Sequence, residues 1–504
     1  MKSKPFRQAL AGIALLSLGG LCVFFSARDY EERRVVAVSG SCRVDMDVVQ
    51  KRGATPDASS GAVVLFHGLA ANKLIMAYLG RAFAELGVTA YVPDLPGHGR
   101  TPGPFTPQNT QDCALSLVRG LAARGLIAPD HTILAGHSMG GAIALRIAPE
   151  FRPAGVIAVS PAPMKAAHGV TPEKLLFQNA PRILPNTLII AGQFEPMGLA
   201  GNAADLVNGN SDPSIEFHSL PWQTHVSVLF SPGVARMAQA WAARSLNVSN
   251  PARLPSRLYF VGGLLGFAGI LLLAGPFLRE MAAQAAEEAQ TDPTRPGTVR
   301  LFVEVGVASF AALSALHYFV PLRAIGLFEG DYLASFFLLV GLLLILAHLR
   351  LALSKFPVKF GVLVGAAMAA LILHLLVTGW FDLAVTGSWL TWQRWTRFPL
   401  FFLGAFAFCY AFEILLGPVW EPRKRLWLDR LAILLAWLAL AYGAFHLHSG
   451  QILAVLLMPY FALFFLFARP GARLVRQRTG SATAAAVFGA ILLAGFCLVL
   501  FPVS

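Results

Sequence analysis

The sequence predicts two architectures in tandem: an α/β domain built on a mostly parallel sheet, followed by an all-α, multi-pass membrane domain. Two observations carry this. Over residues 34–247, short β-branched apolar runs alternate with stretches of helical character, the pattern of a parallel sheet covered by helices on both faces. Over 258–504, the chain is a succession of apolar runs, each about long enough to span ~30 Å of hydrocarbon at ~1.5 Å per residue. Composition agrees: 56% of the 504 residues are hydrophobic and 13% are charged, whereas a soluble domain is about half apolar and about a quarter charged.

The chain opens with Lys2, Lys4 and Arg7 ahead of an apolar stretch from Gln8 to Phe25. That is the pattern of a signal peptide or a signal anchor. Cleavage after Ala27 would put Phe25 where a small residue is needed, which favours an uncleaved anchor. Residues 1–33 are assigned to this anchor and its flanks, and the segment after it is translocated. Within 34–247, Val63–Phe66, Ala90–Pro93, Thr132–Ala135, Val156–Ser160, Leu188–Ala191 and Ile215–Leu220 read as strands. Helices over Ala77–Leu86, Gln111–Arg124 and Gly140–Ala148 lie between them. The run Arg34–Val49 supplies one or two antiparallel edge strands. A proline-containing linker, 248–257, closes this part.

Eight apolar runs follow, at about 258–278, 301–320, 333–349, 360–381, 398–417, 431–448, 452–468 and 482–503. With the anchor they make nine membrane helices, and the few residues His448 to Gln451 demand a tight hairpin. Orientation follows from loop charge. With the N-terminus cytoplasmic, segments 1–7, 279–300, 350–359, 418–430 and 469–478 hold 17 Lys and Arg, while the opposite loops 321–332, 382–397 and 449–451 hold 3. That bias puts residues 34–247 and the C-terminus on the external side, periplasmic or extracellular. It also explains much of the formal net charge of +13. No interleaved basic and aromatic pattern points to nucleic acid.

Cys22, Cys409 and Cys497 lie in apolar runs. Cys42 and Cys113 fall in the α/β part, where export allows them a disulfide. No Cys/His spacing suggests a zinc site, and no residue pattern calls for a cofactor. Glu304, His317, His348, His374, Glu413 and His446 fall inside apolar runs. Ionisable groups in lipid are functional candidates by default, although a neutral histidine or an interfacial helix end explains many of them. Gly262/Gly266 and Gly361/Gly365 have the spacing of close helix packing.

The chemistry sits in His131–Ala148, HTILAGHSMGGAIALRIA. A strand runs into Gly136-His137-Ser138-Met139-Gly140 and then into a helix, the setting that a G-x-S-x-G nucleophile turn requires. Small flanking residues permit a sharp, strained turn that lifts Ser138 Oγ above the sheet. Upstream, VVLFHGLA (63–70) is an apolar strand ending in His67-Gly68, and AYVPDLPGHGR (90–100) follows. Together with GHSMGG, these segments resemble the α/β-hydrolase superfamily, particularly its lipase, esterase and serine-aminopeptidase-like branches, over about residues 35–247.

The resemblance implies a serine hydrolase that works through a Ser-His-acid triad and an acyl-enzyme. The backbone N–H groups of Leu69 and Met139 would form the oxyanion hole. The acid and the base should follow the serine in that order. TLIIAGQFEP (187–196) offers Glu195 as the acid, where the family more often has Asp; Asp205 and Asp212 are the alternatives. LPWQTHVSVLF (220–230) offers His225 as the base. His67, His98 and His137 are expected to pack or line the pocket. Only Met164–Asn186 is available for a substrate-covering cap, too short for a large helical lid. The leading expectation is cleavage of a carboxylic ester, small or lipid-like, beside a bilayer. A peptidase or acyltransferase would use the same residues. A transporter or scaffold whose hydrolase-like domain only binds is the alternative of another class.

Overall fold

The computed structural model describes residues 4–53, 61–168, 170–172, 175–196, 198–208, 210–281, 297–319, 324–416, 422–447 and 452–504. Among them, eight strands form one sheet in the order β1-β2-β4-β3-β5-β6-β7-β8. They are β1 Tyr30–Ser39, β2 Cys42–Lys51, β3 Ala62–Phe66, β4 Thr89–Pro93, β5 Thr132–His137, β6 Gly155–Val159, β7 Thr187–Phe194 and β8 Ile215–Thr224. β1 and β2 pair antiparallel around a tight turn at Gly40, and β2 runs antiparallel to β4; every other pairing is parallel. The expected edge strands at Arg34–Val49 are these first two.

Strands β3 to β6 are buried along their whole length. A strand covered on both faces reads as a continuous apolar run rather than an alternation. Helices α2 Ala77–Ala84, α3 Pro107–Ala123, α4 Met139–Phe151, α5 Leu199–Asp205 and α6 Pro232–Leu246 accompany the sheet, and α1 Lys4–Ala27 precedes it. The architecture is that of the α/β-hydrolase fold. Its parallel strands all deliver their carboxyl ends to one edge, where ligands bind in open α/β sheets. A disulfide joins Cys42 on β2 to Cys113 on α3.

The remaining helices are α7 Leu258–Met281, α8 Thr298–Tyr318, α9 Gly330–Ala347, α10 Leu349–Lys355, α11 Phe360–Ala384, α12 Trp392–Trp395, α13 Phe398–Leu415, α14 Pro422–His446, α15 Ile452–Leu456, α16 Met458–Thr479 and α17 Ala482–Leu500. Among the described residues, eight helices are long and apolar enough to cross a membrane: Pro5–Ala27, Leu258–Glu280, Thr298–Tyr318, Gly330–Ala347, Phe360–Ala384, Phe398–Leu415, Trp427–His446 and Ala482–Leu500.

The run expected at 452–468 is the exception. It is divided between α15 and α16, and the second half of α16 carries Arg469, Arg473, Arg476 and Arg478. Those arginines remove it from the apolar set, so eight helices qualify where nine were expected. The hairpin residues 448–451 lie outside the described residues, as does Arg295 of the loop 279–300.

The chain divides into two compact units that interleave in sequence. One comprises Gly19–Leu264 with Phe381–Ser388 and Pro502–Ser504; the other comprises Met1–Leu18, Leu265–Trp380 and Trp389–Phe501. The first is not the contiguous block 34–247 that composition suggests. The glycine pairs also part company. A β-carbon on Gly262 would lie 2.6 Å from Gly19 O on α1, whereas Gly361 and Gly365 have nothing within 4 Å of such an atom.

Candidate active site

Ser138 sits at the joint between β5 and α4 with φ 54° and ψ −117°. This conformation is strained for a residue with a β-carbon, and the surroundings enforce it. Ser138 N–H donates to Val159 O at 2.9 Å, and Ser138 O accepts from Ala142 N and Ala162 N. The flanking glycines are required by close approach. A β-carbon on Gly136 would fall 2.3 Å from Gly140 C, and one on Gly140 would fall 2.2 Å from Phe66 O. Any side chain there would push the turn off the sheet.

From Ser138 a line of hydrogen bonds runs outward. Ser138 Oγ lies 2.9 Å from His225 Nε2, and His225 Nδ1 lies 2.6 Å from Glu195 Oε2. The donors follow from chemistry. The Glu195 carboxylate accepts, so Nδ1 carries the proton and Nε2 is free to accept from the serine hydroxyl. Glu195 is fully buried at its side chain. Burial works against its charge, yet hydrogen bonds from His225, Ser160 Oγ and Gly192 N–H outweigh it and hold the carboxyl below the usual glutamate range.

The two alternative acids are elsewhere engaged. Asp205 Oδ2 lies 2.9 Å from His168 Nε2 and Asp212 Oδ1 bonds Ser214, so of the three carboxylates only Glu195 meets His225.

The expected oxyanion donors flank the serine. Gly68 packs against the elbow, with a β-carbon on it 3.1 Å from Ser138 Cβ. Leu69 is the next residue, and Met139 is the first residue of α4. Neither amide finds a hydrogen-bond acceptor among the described residues.

Three histidines surround this line without joining it. His67 Nδ1–H donates to Gly68 O at 2.8 Å, and its Nε2 accepts from Leu95 N–H at 2.9 Å. His137 Nε2–H donates to the backbone O of His225 at 2.7 Å. Burial pushes His67 down to about 4 and His137 down to about 3, so both are neutral at pH 7. His98 Nδ1 contacts Pro96 O at 2.9 Å. Each of the three rings contacts a backbone atom.

Sequence reasoning missed Ser160 and the His137–His225 contact. The first has a readable signal: Ser160 directly follows β6, the strand beside the one that ends near Glu195. The second has none, since it joins a side chain to a carbonyl 88 positions away.

Of the ionisable residues in apolar runs, Glu304, His348 and Glu413 stand in ion pairs. Glu304 accepts from Arg300 at 2.7 Å and lies 2.8 Å from His348 Nε2. Arg469 on α16 grips Asp429 on α14 with two nitrogens and reaches Glu413 on α13 at 3.0 Å. His374 on α11 is buried, with a β-carbon on Gly495 of α17 placed 2.4 Å from its ring. His317 and His446 lie near the carboxyl ends of α8 and α14. Among the described residues, no group of three or more His, Cys, Asp or Glu could hold a metal ion.

The fold and this arrangement define an α/β-hydrolase domain with a nucleophile elbow. Residues 57–230 match the model of the family described as "Serine aminopeptidase, S33". No curated protein matches the chain. Among solved structures, an α/β serine hydrolase without lid from Xanthomonas campestris is 16% identical, with 44% of this chain and 97% of that one covered at a TM-score of 0.35. A thermophilic esterase from Thermogutta terrifontis is 17% identical over 42% of this chain and 99% of that one, at 0.33. An oligopeptidase B from Trypanosoma brucei is 16% identical over 45% of this chain and 38% of that one, at 0.36.

Proposed function

We propose that this chain is a membrane-anchored serine hydrolase that cleaves a carboxylic ester on the external side of a multi-pass membrane domain. The observation that carries the proposal is the unbroken line Ser138 Oγ–His225–Glu195 at the turn between β5 and α4. His225 takes the hydroxyl proton as Ser138 attacks the carbonyl carbon. Glu195 orients the ring and stabilises its charged form. The N–H groups of Leu69 and Met139 receive the negative charge that develops on the carbonyl oxygen. The imidazolium then protonates the leaving alcohol, and an acyl-serine remains for water to release.

Lipid-like or acylated substrates fit the surroundings best. Phe194 and Trp222 stand on the segments that deliver Glu195 and His225, with rings 5.6 Å apart. They are 53% and 81% exposed, an apolar pair available to an acyl chain. The described helices and the loop charges support a bilayer as the chain's surroundings, with the α/β part external. The family description favours a second reading, a peptidase with the same residues in the same roles. The acyl-enzyme chemistry does not separate the two.

The test is fluorophosphonate labelling of the full-length protein in membranes, beside Ser138→Ala. Labelling of the wild type alone supports an activated serine and opens a comparison of ester, lipid and peptide substrates. A folded wild type that does not label overturns the hydrolase reading and moves attention to the helices and their ion pairs.

A further inference from the structure

Two remote segments belong to the compact unit that carries Ser138: Phe381–Ser388 and Pro502–Ser504. Both bind loops at the carboxyl edge of the sheet, the edge that bears the elbow. Asn72, in the loop after β3, makes a two-pronged bond to Gly387. Its Oδ1 accepts from Gly387 N at 2.8 Å and its Nδ2 donates to Gly387 O at 2.9 Å, with a further bond to Thr386 Oγ1 at 3.1 Å. In the loop after β4, Arg100 pairs with Asp382 at 2.6 Å. Val503 bridges the same loop, donating to Gly97 O at 2.9 Å and accepting from Phe105 N at 2.6 Å.

Asp94 joins these grips into one assembly. One of its oxygens accepts from Lys73 N and the other from Arg100 N. Asn72 is 6% exposed and Asp94 is 1% exposed, so neither is a loose surface tie.

The loop held this way carries Leu69. Between Leu69 and Asn72 the chain makes a tight turn, with Ala71 N bonded to Gly68 O and Ala70 at φ 58°. Such a turn transmits a displacement of Asn72 to Leu69. An oxyanion donor works only when it is aimed at the anion that develops, and losing one costs about 10²–10³ in kcat.

We propose that Asn72 is a positioning residue, and that its bond to Gly387 fixes the loop presenting the Leu69 amide. The proposal rests on the serine-hydrolase reading above. It makes the hydrolase site dependent on residues 381–388, which stand more than a hundred positions beyond the α/β segment.

The test compares full-length wild type, Asn72→Ala and Gly387→Ala in detergent on a soluble short-chain p-nitrophenyl ester. Gly387→Ala leaves the α/β segment untouched and brings a β-carbon within 3.0 Å of the Asn72 amide. The expected result is a fall of about tenfold or more in kcat for both variants, with KM within about twofold of wild type. The rate of fluorophosphonate capture should fall in parallel, with unchanged thermal midpoints. Wild-type kcat in a folded Asn72→Ala, or in Gly387→Ala should Asn72→Ala fail to fold, overturns the proposal. An equal rise in KM with kcat preserved also overturns it. Failure of the parent reading looks different, because the wild type then shows no Ser138-dependent turnover.

Discussion

At the residue scale, burial sets the charge of two histidines beside the site. His67 and His137 are held neutral, and both titrate well below an unfolded histidine at ~6.5. The unfolded chain therefore binds protons that the folded chain refuses. As pH falls below ~6.5, each histidine favours unfolding by about 1.4 kcal/mol per pH unit, until its folded value is reached. Asp94 has the opposite sign, since burial raises it to about 6 and the folded chain then holds a proton that the unfolded one releases. Unfolding of the full-length protein, followed by tryptophan fluorescence, should show stability falling from pH 7 to pH 5. Asp94→Asn should steepen the fall below pH 6 by removing the offset.

Glu195→Gln keeps the shape but not the charge that orients His225, and kcat should drop about 10³–10⁴-fold with the fold intact. Ser160→Ala should cost less, because the contacts of Glu195 to Gly192 and His225 remain. That Ser138, His225 and Glu195 would meet was readable because each follows a recognisable apolar strand, in the order that the resemblance implies. The supports from Ser160, His137 and Asn72 were not, because a hydrogen bond between distant positions leaves no local pattern.

At the scale of elements, the buried parallel strands announced themselves as unbroken apolar runs, and the helices between them followed. The ends were less visible. β1 and β2 extend to Tyr30 and Lys51, beyond the run that marked them, because antiparallel pairing tolerates the charged residues on their exposed face. The disulfide between β2 and α3 closes a loop of 71 positions. In the loop-entropy account, such a crosslink contributes about 4 kcal/mol. Replacing both Cys42 and Cys113 by Ala should lower the midpoint of denaturant unfolding by a corresponding amount, while kcat of the protein that remains folded is retained. Helix α16 shows where hydropathy fails. Its first half is as apolar as its neighbours, and only the structure shows that Arg469 is matched by Asp429 and Glu413.

At the scale of the whole molecule, the interleaving of the two units was invisible to composition, which sees blocks and not returns. It constrains the path of the chain through a bilayer. Ser388 and Pro502 belong to one compact unit, with α13, α14, α16 and α17 between them in sequence. Under the multi-pass reading proposed above, ends on one side require an even number of crossings, so α13, α14 and α17 would need α16 as a fourth. A membrane-impermeant thiol reagent should therefore label Ser388→Cys and Ser504→Cys from the same face, and Arg478→Cys from the other. Labelling of Arg478→Cys from the same face as the other two would mean that α16 does not cross.

The matched arginine has a consequence for biosynthesis. A lone Arg at the centre of a membrane helix costs about 2.5–3.5 kcal/mol to insert. The partners of Arg469 lie on α13 and α14, which leave the ribosome before it does. Under the multi-pass reading proposed above, α16 would enter lipid by joining earlier arrivals, and a chain carrying both Asp429→Ala and Glu413→Ala should stall at this insertion step and be degraded by quality-control proteases, even though every apolar segment is intact.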